Sequence, residues 1–215
     1  MTERQIQIPI REGFLEGELT LPAHPAGVVV FAHGSGSSRH SARNQFVAKE
    51  LNGTGLGTLL MDLLTESESD LRFDIGMLSD RLRRATEWLL HDPQTMTLPV
   101  GYYGASTGAA AALVASVSHP NRVRAIVSRG GRPDLAGDAL ADVSAKTLLV
   151  VGSLDREVIE LNREALSLLR CEKELVIVPG AGHLFEEAGT LEAVANIAAD
   201  WFAIHFAPSK RAYAG

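Results

Sequence analysis

The chain has 215 residues, 46% hydrophobic and 21% charged, the composition of a soluble globular protein long enough to bury a sizeable core. Its 26 acidic residues outnumber 20 basic ones, a formal charge of -6, which leaves no broad basic face and argues against nucleic acid as a partner. No run approaches the ~18 unbroken apolar residues of a membrane span, the start "MTERQIQIPI" does not pattern as a signal peptide, and the single cysteine, Cys171, forbids an internal disulfide and leans towards a reducing, cytoplasmic setting.

In chain order, "RQIQIPI" and "FLEGELTLP" alternate with period two around "REG" and predict an antiparallel hairpin at one edge of a sheet. The next run, "GVVVFAHGSGSS", is continuously apolar before its loop, as a strand covered on both faces would be. Helical spacing follows in "SARNQFVAKELN", then a strand in "GTLLMDLL" and a helix in "DRLRRATEWLL". The strand "LPVGYYGAS" leads into the helix "TGAAAALVASVS". Beyond it come the strands "VRAIVSRGG" and "KTLLVVGSLD", the helix "DREVIELNREALSLL", the strand "ELVIVPGAGH" and a closing helix, "LEAVANIAADWFAIHF". Strands alternating with helices imply right-handed crossovers. The expectation is one α/β domain over residues 1–206, with a mostly parallel sheet and helices on both faces, followed by a loose tail, "APSKRAYAG", over 207–215.

In such sheets ligands bind at the carboxyl ends of the strands. Those ends carry His33, Gly34 and Ser35, then Asp62, Ser106, Arg129, Asp155 and His183. Around Ser106, "GASTG" matches G-x-S-x-G between an apolar strand and an apolar helix, the setting of a nucleophile elbow. The small neighbours would permit a sharp turn that lifts the serine oxygen clear. The alternative is a serine that simply caps the following helix. A serine hydroxyl needs a base, and the base an orienting partner. Asp155 and His183 each follow a separate later strand, although Asp155 could equally cap the helix after it and His183 could be an ordinary loop residue. Acyl transfer would also need oxyanion donors, assigned to the backbone N–H groups of Thr107 and, in "HGSGSS", of Ser35. That glycine-rich loop could instead cradle a phosphate.

Taken together, "HGSGSS", "GASTG", "GSLD" and "GAGH" resemble the α/β-hydrolase superfamily, and within it the dienelactone hydrolase-like group, from about Gly27 to Phe202. The resemblance implies a single-domain α/β-hydrolase fold with Ser106 as nucleophile, His183 as general base and Asp155 as its acid. It also implies hydrolysis of small carboxylic esters or lactones through an acyl-enzyme, with neither cofactor nor metal. The namesake enzymes place cysteine where this chain has Ser106, so their substrate preference is not carried over. Between "IVSRGG" and "KTLLV" there is little room for a lid, and an open site is expected.

Arginines crowd the same loops: Arg39, Arg43, Arg72, Arg129 and Arg132. One or more, with Arg39 and Arg129 the candidates beside Gly34, could clamp a substrate carboxylate. Alternatively they pair with Asp62, Asp70, Asp74 or Asp134 to hold loops together. Asp62 is also a conceivable second acid for the histidine. Two further functions stay open from sequence, an acyltransferase using the same residues and a non-catalytic ligand-binding protein on the same fold.

Overall fold

Strands β1 (Thr2–Pro9) and β2 (Phe14–Leu21) form the expected antiparallel hairpin, turned at Gly13, whose φ of +97° favours glycine. In the computed structural model, residues 1–207 are described; residues 208–215, nearly all of the expected tail, lie outside them. The strands β3 (Val28–Ala32), β4 (Gly57–Met61), β5 (Val100–Ala105), β6 (Val123–Arg129), β7 (Lys146–Gly152) and β8 (Lys173–Val178) complete one eight-stranded sheet. Its order is β1-β2-β4-β3-β5-β6-β7-β8, with β2 antiparallel to β1 and β4 and every later pairing parallel.

Helices α1 (Ala42–Gly53) and α5 (Thr190–Phe206) cover one face; α2 (Ile75–His91), α3 (Thr107–Val117) and α4 (Arg156–Leu168) cover the other. Side chains of a strand alternate between faces, and β3 shows why its sequence does not alternate in polarity. Val28 and Val30 enter the core under α2 and α3, whereas Val29 and Phe31 enter the core under α1 and α5. Both faces are buried, so every position is apolar.

Two 3₁₀ segments were not anticipated, at Glu66–Leu71 and Pro133–Asp142. The second is the connection between β6 and β7. Its Ala136 and Leu140 are buried and it packs back onto α3 and α4. It forms no lid. Among the described residues no helix is long and apolar enough to cross a membrane.

Candidate active site

Ser106 sits between β5 and α3 with φ 50° and ψ -122°, a left-handed conformation that costs a non-glycine residue of order 1–3 kcal/mol. The glycines on either side make the turn possible. A Cβ at Gly104 would collide with the Ala109 backbone of α3, and one at Gly108 with the carbonyl oxygens of Ala32 and His33. Helix and sheet therefore touch through backbone, and the chain turns sharply at the serine. Gly34 is needed for a related reason: its Cβ would lie 3.0 Å from the Ser106 Cβ. The Gly34–Ser35 loop passes directly over the serine.

Two capping alternatives raised by the sequence can now be judged. Ser106 and Asp155 do occupy the N-cap positions of α3 and α4, yet neither side chain accepts a hydrogen bond from its helix. At α1 and α2 the caps are used: Ser41 accepts from the Asn44 N–H and Asp74 from the Met77 N–H. An unused cap forgoes about 1 kcal/mol. The Asp155 carboxylate instead accepts from Nδ1 of His183 at 2.6 Å. With Nδ1 carrying the proton, Nε2 is left as the basic nitrogen. Asp155 is mostly buried, whereas the His183 side chain is 41% exposed, as a group that must reach a ligand should be. The histidine loop is held from both sides. Phe185 is buried, and Glu187 accepts from the Gly182 N–H, a bond that draws the Glu187 carboxyl below its usual range.

Ser106 and His183 line one cleft of about 270 Å³, together with Gly34, Ser35, Arg129 and Gly130. A larger cavity of about 530 Å³, containing Arg39, Asp62 and Arg72, adjoins it across the shared wall Gly34, Ser35 and Ser37. Of the expected oxyanion donors, Thr107 opens α3, where its N–H has no carbonyl one turn earlier to bond. The Ser35 N–H donates to Thr107 Oγ1 at 3.1 Å, which brings the two residues together. Its orientation has a visible cause. His33 is buried; its Nε2 accepts from the Leu63 N–H at 3.0 Å, so its Nδ1 carries the proton and meets the Gly34 carbonyl at 3.0 Å. Holding the carbonyl of the Gly34–Ser35 peptide on one side turns its N–H to the other. Burial pushes the His33 pKa down, which keeps the ring neutral and this pattern intact.

The arginines separate by partner. Arg39 pairs with Asp62 through both its backbone and its side chain, and Arg132 pairs with Asp134. Those two make the carboxylate pairs that the sequence offered as an alternative, and Asp62 is engaged by Arg39. Arg43 pairs with Glu186 at the surface, and Arg72 stacks on Phe73. Arg129 pairs with no carboxylate among the described residues. Asn44 also faces the cleft and was not anticipated. The signal was present: it shares the buried stripe of α1 with Val47, Ala48 and Leu51, where an amide is out of place. Among the described residues no group of three or more His, Cys, Asp or Glu is arranged to hold a metal.

A sheet of this order, with an elbow serine after β5, an acid after β7 and a histidine after β8, defines an α/β hydrolase. No family model matches the chain. The solved dienelactone hydrolase of Anabaena variabilis ATCC 29413 is 53% identical, over 95% of this chain and 98% of that one, with a TM-score of 0.92. The chain belongs to the dienelactone hydrolase family. A curated Mycobacterium tuberculosis (strain H37Rv) protein, whose name proposes a phosphoribosyl transferase, is 54% identical over 208 residues. The match takes in 95% of this chain but 47% of that protein, so the chain spans about half the length of this curated relative. A Xanthomonas campestris α/β serine hydrolase described as lacking a lid shares the fold at 20% identity and a TM-score of 0.77, over 94% of both chains.

Proposed function

We propose that this chain is a serine hydrolase of small carboxylic esters or lactones, with Ser106, His183 and Asp155 as its triad. The observation that carries this is the side chain of Asp155: it occupies a helix N-cap, leaves that helix uncapped and bonds the histidine of the Ser106 cleft instead.

In the proposed reaction, Ser106 Oγ attacks the substrate carbonyl carbon as its proton passes to His183 Nε2. Asp155 keeps the ring in the productive tautomer and stabilises the imidazolium that forms. The carbonyl oxygen, now an oxyanion, takes hydrogen bonds from the Thr107 and Ser35 N–H groups, displacing Thr107 Oγ1 from the latter. Each such donor is worth on the order of 3 kcal/mol of transition-state stabilisation. Collapse breaks the bond to the leaving oxygen, which receives the proton from His183. Water then repeats the sequence on the acyl-Ser106 ester and releases the acid. The open mouth favours small soluble substrates over an oil surface. Ester and lactone chemistry draws on the Anabaena variabilis relative; phosphoribosyl transfer is said of a protein twice this chain's matched length, and the reading here rests on the Ser106 cleft.

A fluorophosphonate probe tests the reading, because it reacts with an activated serine whatever the natural substrate. Wild type is expected to label at Ser106, while Ser106→Ala does not label and His183→Ala labels far more slowly. A folded wild type that stays unlabelled would refute an activated serine.

A further inference from the structure

The larger cavity, of about 530 Å³, takes no part in the proposed chemistry, yet it shares Gly34, Ser35 and Ser37 with the Ser106 cleft. Its volume suits a small molecule, whose sites typically hold about 300–1,000 Å³ and are mostly apolar. Here Leu64 and Leu78 are the only aliphatic side chains among the described lining residues. An alkyl or fatty-acyl chain would leave the polar remainder of that wall without partners. The polar groups are of two kinds. The hydroxyls of Ser35 and Ser37 bond no other described residue. The second kind is the Arg39–Asp62 pair: Asp62 Oδ1 accepts from the Arg39 backbone N–H at 2.8 Å, and Oδ2 accepts from the guanidinium. Both side chains are mostly buried, Arg39 at 21% and Asp62 at 17% exposed. A carboxylate has about four acceptor sites and a guanidinium five N–H donors, so the pair keeps spare acceptors and donors side by side at the cavity wall. Neighbouring hydroxyl groups match that arrangement, because each can donate to Asp62 or accept from Arg39. A ligand carboxylate matches it poorly, since Asp62 sets a negative charge beside the positive one.

We propose that this cavity is a subsite for a neutral polyhydroxylated ring, a sugar or cyclic polyol, joined by a short link to the carbonyl that Ser106 attacks. The Arg39–Asp62 pair bonds two neighbouring hydroxyls, the Ser35 and Ser37 hydroxyls take others, and Leu64 and Leu78 meet an apolar face of the ring. Hydrogen bonds to charged groups are the strong ones. A site built for hydroxyls also rejects the analogue that lacks them, because its own polar groups are then left unpaired. The subsite rests on the serine hydrolase reading for its reaction, though not for its binding.

Two matched ester pairs test this, each setting a hydroxylated ring against a plainer ring of the same size. In the first, methyl 6-O-acetyl-glucopyranoside against cyclohexylmethyl acetate, the ring lies on the alcohol side. In the second, methyl quinate against methyl 1-hydroxycyclohexanecarboxylate, it lies on the acid side. Acid release by wild type, Asp62→Asn and Thr65→Phe gives the ratio of kcat/KM for the hydroxylated over the plainer ester. Wild type is expected to favour the hydroxylated ester of at least one pair by tenfold or more, through KM. Asp62→Asn keeps an acceptor for the Arg39 N–H but loses the charge, and Thr65→Phe fills the cavity, of which Thr65 is a lining residue, while sparing the pair. Both should bring the ratio most of the way back to one. A wild type without preference in either pair, or a preference retained in full by either variant once circular dichroism shows it folded, overturns the proposal. Calorimetric binding of the same esters to Ser106→Ala needs no turnover and separates the two readings. Tighter binding of the hydroxylated ester without cleavage by wild type counts against the hydrolase reading alone. Equal binding of both esters, with both cleaved, counts against the subsite alone.

Discussion

Single side chains decide most of the site. His33 is an example whose importance lies in the hydrogen bonds it fixes. Burial lowers its pKa from 6.5, partly opposed by the Gly34 carbonyl and the charge of Asp62. As pH falls through 6.5 the unfolded chain takes up a proton on this histidine while the folded chain does not. Folding stability therefore declines below that pH, by at most about 1.4 kcal/mol per pH unit for one group. His119 and His205, also held low mainly by burial, act in the same direction. Urea midpoints at pH 8 and pH 5.5 check this. Wild type should lose more between the two than His33→Asn, which starts less stable for want of its hydrogen bonds; equal losses would contradict the account. At this scale the sequence showed which residues stand at strand ends, but not where their side chains point. Ser106 and Asp155 are N-caps by position, and only the folded geometry shows that both decline the cap. The fates of Arg39, paired with Asp62, and of Arg129, paired with no acid, were equally hidden. Arg129 ends a strand and Arg39 lies in the loop after one, and the difference is made by residues far away in sequence.

The element that matters most is the turn from β5 into α3. It stores strain at Ser106 and relies on Gly104 and Gly108 to bring backbone against backbone. Gly108→Ala would press a methyl group into the carbonyls of Ala32, the last residue of the central strand β3, and of His33 just beyond it, which have little room to retreat. The expected cost is about 3 kcal/mol, read as a lower urea midpoint, with a larger fractional loss of ester turnover on the proposed reading, because His33 holds the Gly34–Ser35 loop. A stable Gly108→Ala protein with full turnover would show that the elbow is looser than described. Elements of this kind were legible, because a continuous apolar run, G-x-S-x-G and an alanine-rich helix are local features. The 3₁₀ segments were not. Glu66–Leu71 is polar without period, and Pro133–Asp142 is broken at Gly137, whose φ is +53°. The second is held by packing on α3 and α4 and the first is tied to α2 by the Glu68–Arg81 pair, and no periodic pattern announces either.

For the whole molecule, the two apolar cores on either side of one sheet explain why hydrophobic runs gave the strand order's ingredients so directly. The order itself, with β4 beside β2 and β3 between β4 and β5, depends on crossovers that no single segment encodes. The sheet places its strand ends in one row, and that row gathers residues 35, 106, 129 and 183 into a single cleft of about 270 Å³. The central claim is that Ser106, His183 and Asp155 act there as one catalytic unit. Its most direct test is pre-steady-state turnover of p-nitrophenyl acetate by wild type, Ser106→Ala, His183→Ala and Asp155→Asn. Wild type should release a burst of p-nitrophenolate equal to the enzyme present, followed by slower turnover. Ser106→Ala should show no burst, His183→Ala should fall to near background, and Asp155→Asn should lose on the order of 10⁴ in kcat through the wrong histidine tautomer. A burst that persists in Ser106→Ala, or an Asp155→Asn enzyme as fast as wild type, would contradict the claim.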